Sequence, residues 1–196
     1  MTGERRAPEA LIIAGPNGAG KTTASRVVVP TDIGFINADR IAAELVAGGH
    51  AQAGLDIAAG RVVLASIRER VRGGESFAVE TNLAGRSYVG LIDEWRHAGF
   101  TVRLAFIALR SPELALRRVA ARVEAGGHDV PAEVVRRRWR SGLRSFFEVY
   151  LDLVDGWTLT DNSDKSAVLV ADGGRGRATA VHDRERFAAL RRLSRL

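Results

Sequence analysis

The chain contains no cysteine, which excludes disulfides, thiolate nucleophiles and cysteine-ligated zinc. Its four histidines, His50, His97, His128 and His182, are too dispersed for a recognisable ligand pair, so a metal is expected to be magnesium held by oxygens. No run of about 18 apolar residues is available to span a membrane. The start from Met1 to Ala10 is polar, carries Arg5 and Arg6, and lacks the apolar core of a signal peptide. A cytoplasmic protein without membrane contact is expected. Lysine is nearly absent as well: of 29 basic residues, all but Lys21 and Lys165 are arginine. A chain that writes almost every cation as arginine nevertheless keeps a lysine at position 21.

What is present fits one folded unit. A length of 196 residues suits a single domain with one core, and no internal repeat, coiled-coil heptad or linker divides residues 1–196. The net charge of +6 favours anionic ligands. Leu11-Ile12-Ile13 is apolar without alternation and runs into a glycine-rich turn, the pattern of a buried strand. Further strands are predicted at Gly34 to Asn37, Ser76 to Glu80, Thr101 to Leu109, Trp157 to Thr160 and Ala167 to Ala171. Helices are predicted from about Gly20, over Asp39 to Ala47, Leu55 to Arg72, Ser87 to Ala98 and Pro112 to Glu124, from Pro131 to about Val154, and over Asp183 to Leu196. Gly173 to Gly176 reads as a turn or loop. This alternation implies an α/β fold in three layers, a mainly parallel sheet with helices on both faces. Trp139, Leu143, Phe146, Phe147, Tyr150 and Val154 fall on one stripe of the long helix and are expected in the core.

Gly15-Pro16-Asn17-Gly18-Ala19-Gly20-Lys21-Thr22 fits the G-x-x-x-x-G-K-[ST] pattern between a predicted strand and a predicted helix. Such a loop closes its backbone N–H groups round phosphates, assisted by the positive end of the helix dipole. Lys21 is expected on the β and γ phosphates of ATP and Thr22 on Mg²⁺, with Gly15, Asn17, Gly18, Ala19, Gly20 and Thr23 completing the nucleotide contacts.

Two predicted strands end in acids, at Asn37-Ala38-Asp39 and at Val79-Glu80. The carboxyl ends of parallel strands face the ligand crevice, so both acids belong on the edge of the phosphate loop. We assign the general base to Asp39 and substrate contact to Glu80, with helix capping as the other reading of Asp39. Arg118 and Arg122 stand four apart on a helix, where like charges repel unless an anion lies between them. With Arg138, around the Gly126-Gly127 hinge, they suit a small helical lid over residues 112–140 that closes on the nucleotide; the alternative is a solvated basic face. His128 in the hinge reads equally as a phosphate contact or as a loop residue. Arg136, Arg140 and Arg144 form another row at helical spacing that a nucleic-acid backbone could follow, without an aromatic RNA-binding motif beside it. Asp161-Asn162 is a candidate for the adenine pocket, with turn or helix capping as the alternative.

The phosphate loop, Asn37-Ala38-Asp39-Arg40-Ile41-Ala42, Glu80-Thr81-Asn82-Leu83-Ala84-Gly85 and Gly126-Gly127-His128-Asp129-Val130-Pro131, in this order, resemble the zeta-toxin-like family of P-loop kinases. The resemblance runs from about residue 10 to Asn162. It implies ATP- and Mg²⁺-dependent phosphorylation of a hydroxyl on a nucleotide sugar of the UDP-N-acetylglucosamine type, and a toxin partnered by a small antitoxin over the nucleotide site. By position it makes Lys21 the phosphate lysine, Asp39 the base, Glu80, Thr81 and Asn82 substrate contacts, and Arg118 or Arg122 the lid arginines. Two other readings compete: a kinase of another acceptor, such as a dinucleotide or an antibiotic, and an ATP-dependent switch that binds nucleic acid.

Overall fold

The computed structural model of the chain describes residues 7–50, 54–127 and 129–196. Seven strands form one sheet in the order β2-β3-β1-β4-β5-β6-β7. Five are parallel: β1 (Glu9–Ala14), β2 (Gly34–Asn37), β3 (Phe77–Thr81), β4 (Thr101–Ala108) and β5 (Gly156–Asp161). The last two, β6 (Val168–Gly174) and β7 (Arg177–Val181), run antiparallel as a closing hairpin. In the central strand Ile12 and Ile13 point to opposite faces and both are fully buried, because helices cover the sheet on both sides. The helices are α1 (Lys21–Val28), α2 (Ala38–Ala47), α3 (Leu55–Gly73), α4 (Val89–His97), α5 (Pro112–Glu124), α6 (Ala132–Ser145) and α7 (Arg184–Leu193). Among the described residues no helix is long and apolar enough to cross a membrane.

Register sets the working edge. Ile13 pairs with Glu80, and Asn37 pairs with the same Glu80 from the other side. Ala14, the last residue of β1, lies beside Thr81 of β3 and Phe106 of β4. The chain leaves β1 at the point where its neighbours β3 and β4 diverge in sequence order, which is where open α/β sheets bind ligands.

The apolar stripe of α6 packs as expected. Trp139, Leu143, Phe146, Tyr150 and Val154 are buried, and Phe147 packs half-buried against them. The helix itself stops sooner than its pattern predicts: after Ser145 it widens into a π-turn over Phe146–Tyr150, a distortion frequent near functional sites. The hairpin also differs from expectation. The glycines read as a loop belong partly to β6, and a seventh strand follows them. A Cβ on Gly174 would lie 2.3 Å from the Asp155 carbonyl oxygen, so close packing, not a turn, requires that glycine. Every residue of β7 is exposed, and without a buried face it carries no alternation to read.

Candidate functional site

Six residues link β1 to α1, and their backbone makes the cradle. Gly15 has φ 147°, and a Cβ there would stand 2.2 Å from the carbonyl oxygen of Ile107; no other residue fits. Gly20 takes the left-handed conformation at φ 86° and turns the chain into α1. The Ala19 amide closes the loop on the Pro16 carbonyl at 3.1 Å. The first-turn amides of α1 have no carbonyl to reach within their own helix, which makes this terminus a site for anions. From outside, the Asn162 amide donates to the Ala19 carbonyl at 2.9 Å.

Three elements then converge on one carboxylate. Glu80, at the end of β3, accepts from the Thr22 hydroxyl at 3.1 Å and from the Asn37 side-chain amide at 2.8 Å on the same oxygen. Its other oxygen stands 3.8 Å from the Lys21 ammonium. Lys21 is buried and donates to the Pro16 carbonyl at 3.1 Å and to the Asn82 side chain at 3.4 Å. Asn37 also settles how α2 begins: its side-chain oxygen accepts from the Arg40 amide at 2.9 Å, a cap worth about 1 kcal/mol. The cap is therefore Asn37, and Asp39 is the second residue of α2. The side chain of Asp39 lies outside what the structure describes, as does His128.

These groups line a cleft of about 610 Å³. On its loop side stand Asn17, Gly18, Gly20, Lys21, Thr22 and Thr23, with Arg118 and Arg122 of α5. The Arg118 guanidinium donates to the Gly18 carbonyl at 3.4 Å. Thr81 and Asn82 line the cleft beside Glu80. Gly15 and Ala19 support the cradle from beneath, and Ala19 is fully buried. Arg138 is half-buried on α6 and is not among the lining residues. Ala115 and Val119 of α5 and Val135 and Trp139 of α6 are buried in the core, and the Trp139 indole donates to the Leu109 carbonyl, just past β4, at 2.8 Å.

The residues present fit a nucleotide and a magnesium ion. The Thr22 hydroxyl and the Glu80 carboxylate supply adjacent hard oxygens, enough for an ion that takes its remaining ligands from phosphate and water. Among the described residues the side-chain oxygen of Asn17 is buried without a hydrogen-bond partner, an acceptor that a ligand donor or a bound water would complete. Sequence reasoning missed Asn37 as part of this site, together with Val63 and Leu64 of α3 and Tyr88 and Leu91 beside them. Asn37 alone carried a signal, as a polar residue ending an apolar strand.

The loop after β3 is held firmly. The Tyr150 hydroxyl, presented by the π-turn, donates to the Gly85 carbonyl at 2.7 Å and takes a bond from the Tyr88 backbone. Leu83 has φ 53°, a strained value for a branched apolar residue, and is held there by burial. A Cβ on Gly142 of α6 would meet the Asn82 carbonyl at 2.6 Å.

At the end of β5 lies a second carboxylate. Asp161 is fully buried and is met by Arg186 of α7 at 2.7 Å and by Arg110 at 3.3 Å. Asp164 binds the same two arginines. The Arg186 hydrogen bond is the leading cause that holds the Asp164 carboxyl below its ordinary value of 3.8.

The family model described as "AAA domain" matches residues 11–149. A Haemophilus influenzae protein described as uncharacterized is 29% identical over 131 residues, which cover 67% of this chain and 92% of that protein. Among solved structures, AvrRxo1-ORF1:-ORF2 with ATP has a TM-score of 0.75 at 19% identity, over 93% of this chain and 63% of that one. The chain thus spans less than two thirds of the length of that structure. A structure from the PezAT chromosomal toxin–antitoxin system of Streptococcus pneumoniae has a TM-score of 0.59 at 20% identity, over 85% of this chain and 72% of the other. At such identities the likeness is one of fold.

Proposed function

We propose that this chain, which belongs to the AAA domain family by the match to residues 11–149, is an ATP- and Mg²⁺-dependent kinase of a small-molecule hydroxyl. The observation that carries the reading is the convergence of Lys21, Thr22 and Glu80 at the mouth of the phosphate loop. In the proposed reaction the bond from the γ phosphorus to the β-phosphate bridging oxygen breaks. A bond from that phosphorus to the acceptor oxygen forms, ADP leaves, and the acceptor proton passes to a carboxylate. Lys21 and the α1 amides hold the phosphates, and Arg118 and Arg122 of α5 neutralise the transferring group as a lid. Thr22 and Glu80 would hold the magnesium ion directly or through a bound water, and the ion would offset charge between the terminal phosphates. Asp39, the second residue of the helix that Asn37 caps, is the base in this reading, and Glu80, Thr81 and Asn82 meet the acceptor side. Asn162 borders the adenine in this reading, supported by its bond to the loop, while Asp161, sealed by Arg110 and Arg186, does not reach the ligand.

The zeta-toxin-like resemblance names a nucleotide sugar of the UDP-N-acetylglucosamine type as the acceptor to try first and brings with it a toxin role and an antitoxin. The fold likeness to the PezAT structure is compatible with that. The test is transfer from γ-labelled ATP with Mg²⁺ to nucleotide sugars, dinucleotides and aminoglycosides, with Lys21→Ala and Asp39→Asn as controls. A labelled acceptor that vanishes in both variants is expected. Slow hydrolysis with no labelled acceptor would sink the kinase and favour a switch that binds nucleic acid.

A further inference from the structure

Between Glu80 at the end of β3 and the start of α4 the chain runs through Thr81-Asn82-Leu83-Ala84-Gly85-Arg86-Ser87-Tyr88. Its two ends, Thr81 with Asn82 and Ser87 with Tyr88, line the cleft together with Glu80. The middle of the segment does not line it and is held from outside. Tyr150, the last residue of the π-turn, donates its hydroxyl to the Gly85 carbonyl at 2.7 Å and takes a bond from the Tyr88 backbone. Gly142, earlier on α6, lets the Asn82 carbonyl come so near that a Cβ would stand 2.6 Å from its oxygen. Leu83 lies between these two points, 2% exposed, with its amide on the Thr81 hydroxyl at 3.1 Å and φ 53°. Neither Tyr150 nor Gly142 is among the lining residues, so their effect on a ligand passes through the loop.

The apolar stripe that puts Tyr150 in the core accounts for a large ring at that position but not for an oxygen on it. Phe146, at the other end of the π-turn, fills its place without one, stacked on Phe106 of β4 at 4.6 Å. A buried hydroxyl requires a partner, and this one is directed to the main chain of a segment 65 residues away. Burial raises its phenol above the ordinary 10.0, which keeps it a neutral donor to the carbonyl. A left-handed φ at a branched residue is disfavoured and persists only where its surroundings over-determine it. Here those surroundings are the burial of Leu83 and the contacts at Asn82 and Gly85. Loss of either contact frees the segment to sample other conformations, and a ligand must then order it at a cost in affinity.

Resting on the kinase reading above, we infer that Tyr150 and Gly142 are positioning residues for the acceptor: by holding the Gly85 and Asn82 carbonyls they fix Asn82, Ser87 and Tyr88 beside Glu80. The phosphate loop has supports of its own in Gly15, Gly20 and the Asn162 bond. Lys21, bonded to Asn82 at 3.4 Å, is held as well by the Pro16 carbonyl and by Glu80. The two substrates of the kinase thus depend on different anchors.

Two substitutions test this, with UDP-N-acetylglucosamine and a non-hydrolysable ATP analogue as calorimetric probes and hydrogen exchange read on the ligand-free protein. Tyr150→Phe removes one oxygen and leaves the ring in the core. Exchange over residues 82–88 should quicken about tenfold, UDP-N-acetylglucosamine should bind about five- to tenfold more weakly, and affinity for the ATP analogue should stay within about twofold. In transfer assays the acceptor KM should rise by the same factor, with kcat within about twofold. Gly142→Ala favours the helix and crowds the Asn82 carbonyl, so it should weaken UDP-N-acetylglucosamine at least as much, again without change in the ATP analogue. Unchanged exchange over 82–88 in Tyr150→Phe, equal weakening of both probes, full affinity for UDP-N-acetylglucosamine in Gly142→Ala, or no binding of it to the wild type would overturn the inference. Exchange and probe binding that follow these variants while no phosphate is transferred would leave the positioning role standing and sink the kinase reading instead.

Discussion

Glu80 and Asp161 occupy equivalent places, at the carboxyl ends of parallel strands β3 and β5 in one sheet, and their surroundings give them opposite tasks. Glu80 faces a cleft and is met chiefly by neutral donors, the Thr22 hydroxyl and the Asn37 amide, with the lysine ammonium at 3.8 Å. Those bonds are weak enough to be exchanged for a metal ion or water. Asp161 has no exposed surface and is gripped by Arg110 and Arg186, while Ser163 donates to it through both its amide and its hydroxyl. It has no capacity left for a ligand. One strand end is kept adaptable for chemistry, and the other is closed to brace α7 and the Asn162 contact against the phosphate loop.

Substitutions at the two ends are expected to fail in different ways. The largest effect is expected for Glu80→Gln. Transfer should fall about 10²- to 10³-fold, the scale of losing a charged group aimed at the reacting centre, while the melting temperature stays unchanged. A melting shift as large as the activity loss would erase the contrast. Next comes Asp161→Ala, which leaves two arginines without their buried partner and should cost about 3 kcal/mol. For a chain of this size that is a fall of roughly 6–12 °C in melting temperature, read by calorimetry, with the remaining folded enzyme turning over normally. Asn162→Ala removes one bond to the cradle, worth about 1 kcal/mol. It should raise KM for ATP about fivefold and leave the acceptor KM alone; equal change in both would mean that Asn162 serves the whole cleft.

The smallest effect concerns pH. The folded Asp164 carboxyl titrates below its ordinary 3.8 because of its bonds to Arg186 and Arg110. Its contribution is therefore complete above that value and is lost as pH falls from there through the lower folded value. Urea midpoints of the wild type and Asp164→Asn should differ slightly at neutral pH and converge below about pH 4. A constant difference down to pH 2 would show that the pair acts through packing.

Much of the fold was legible because its signals are local. The phosphate loop needs its glycines at fixed offsets, and Gly15 shows why: its backbone passes within 2.2 Å of where a Cβ would meet Ile107. The parallel strands and every helix but α6, which ends at Ser145 where its stripe ran on to Val154, came within a few residues, since an apolar run or stripe reports burial directly. The hairpin did not, because exposed β7 has no such stripe and the glycines before it serve packing. At the site, the acids could be placed on one edge from strand direction alone. That Asn37 binds Glu80 could not, because the two stand 43 residues apart and only the pairing of β2 with β3 brings them together.

The amino-acid order alone marked the glycine-rich loop between β1 and α1 and put the end of β3 on the same edge of the sheet, since both follow from short-range backbone geometry and a repeating hydrophobic period. Only the tertiary structure decided that Thr22, Asn37 and Glu80 meet, that Asp161 is sealed by arginines 51 and 25 residues away in the chain, and that Tyr88 and Leu64 line the same cleft as the phosphate loop. Those contacts join segments brought together by packing, and nothing in the spacing of residues along the chain encodes the distance between them in space.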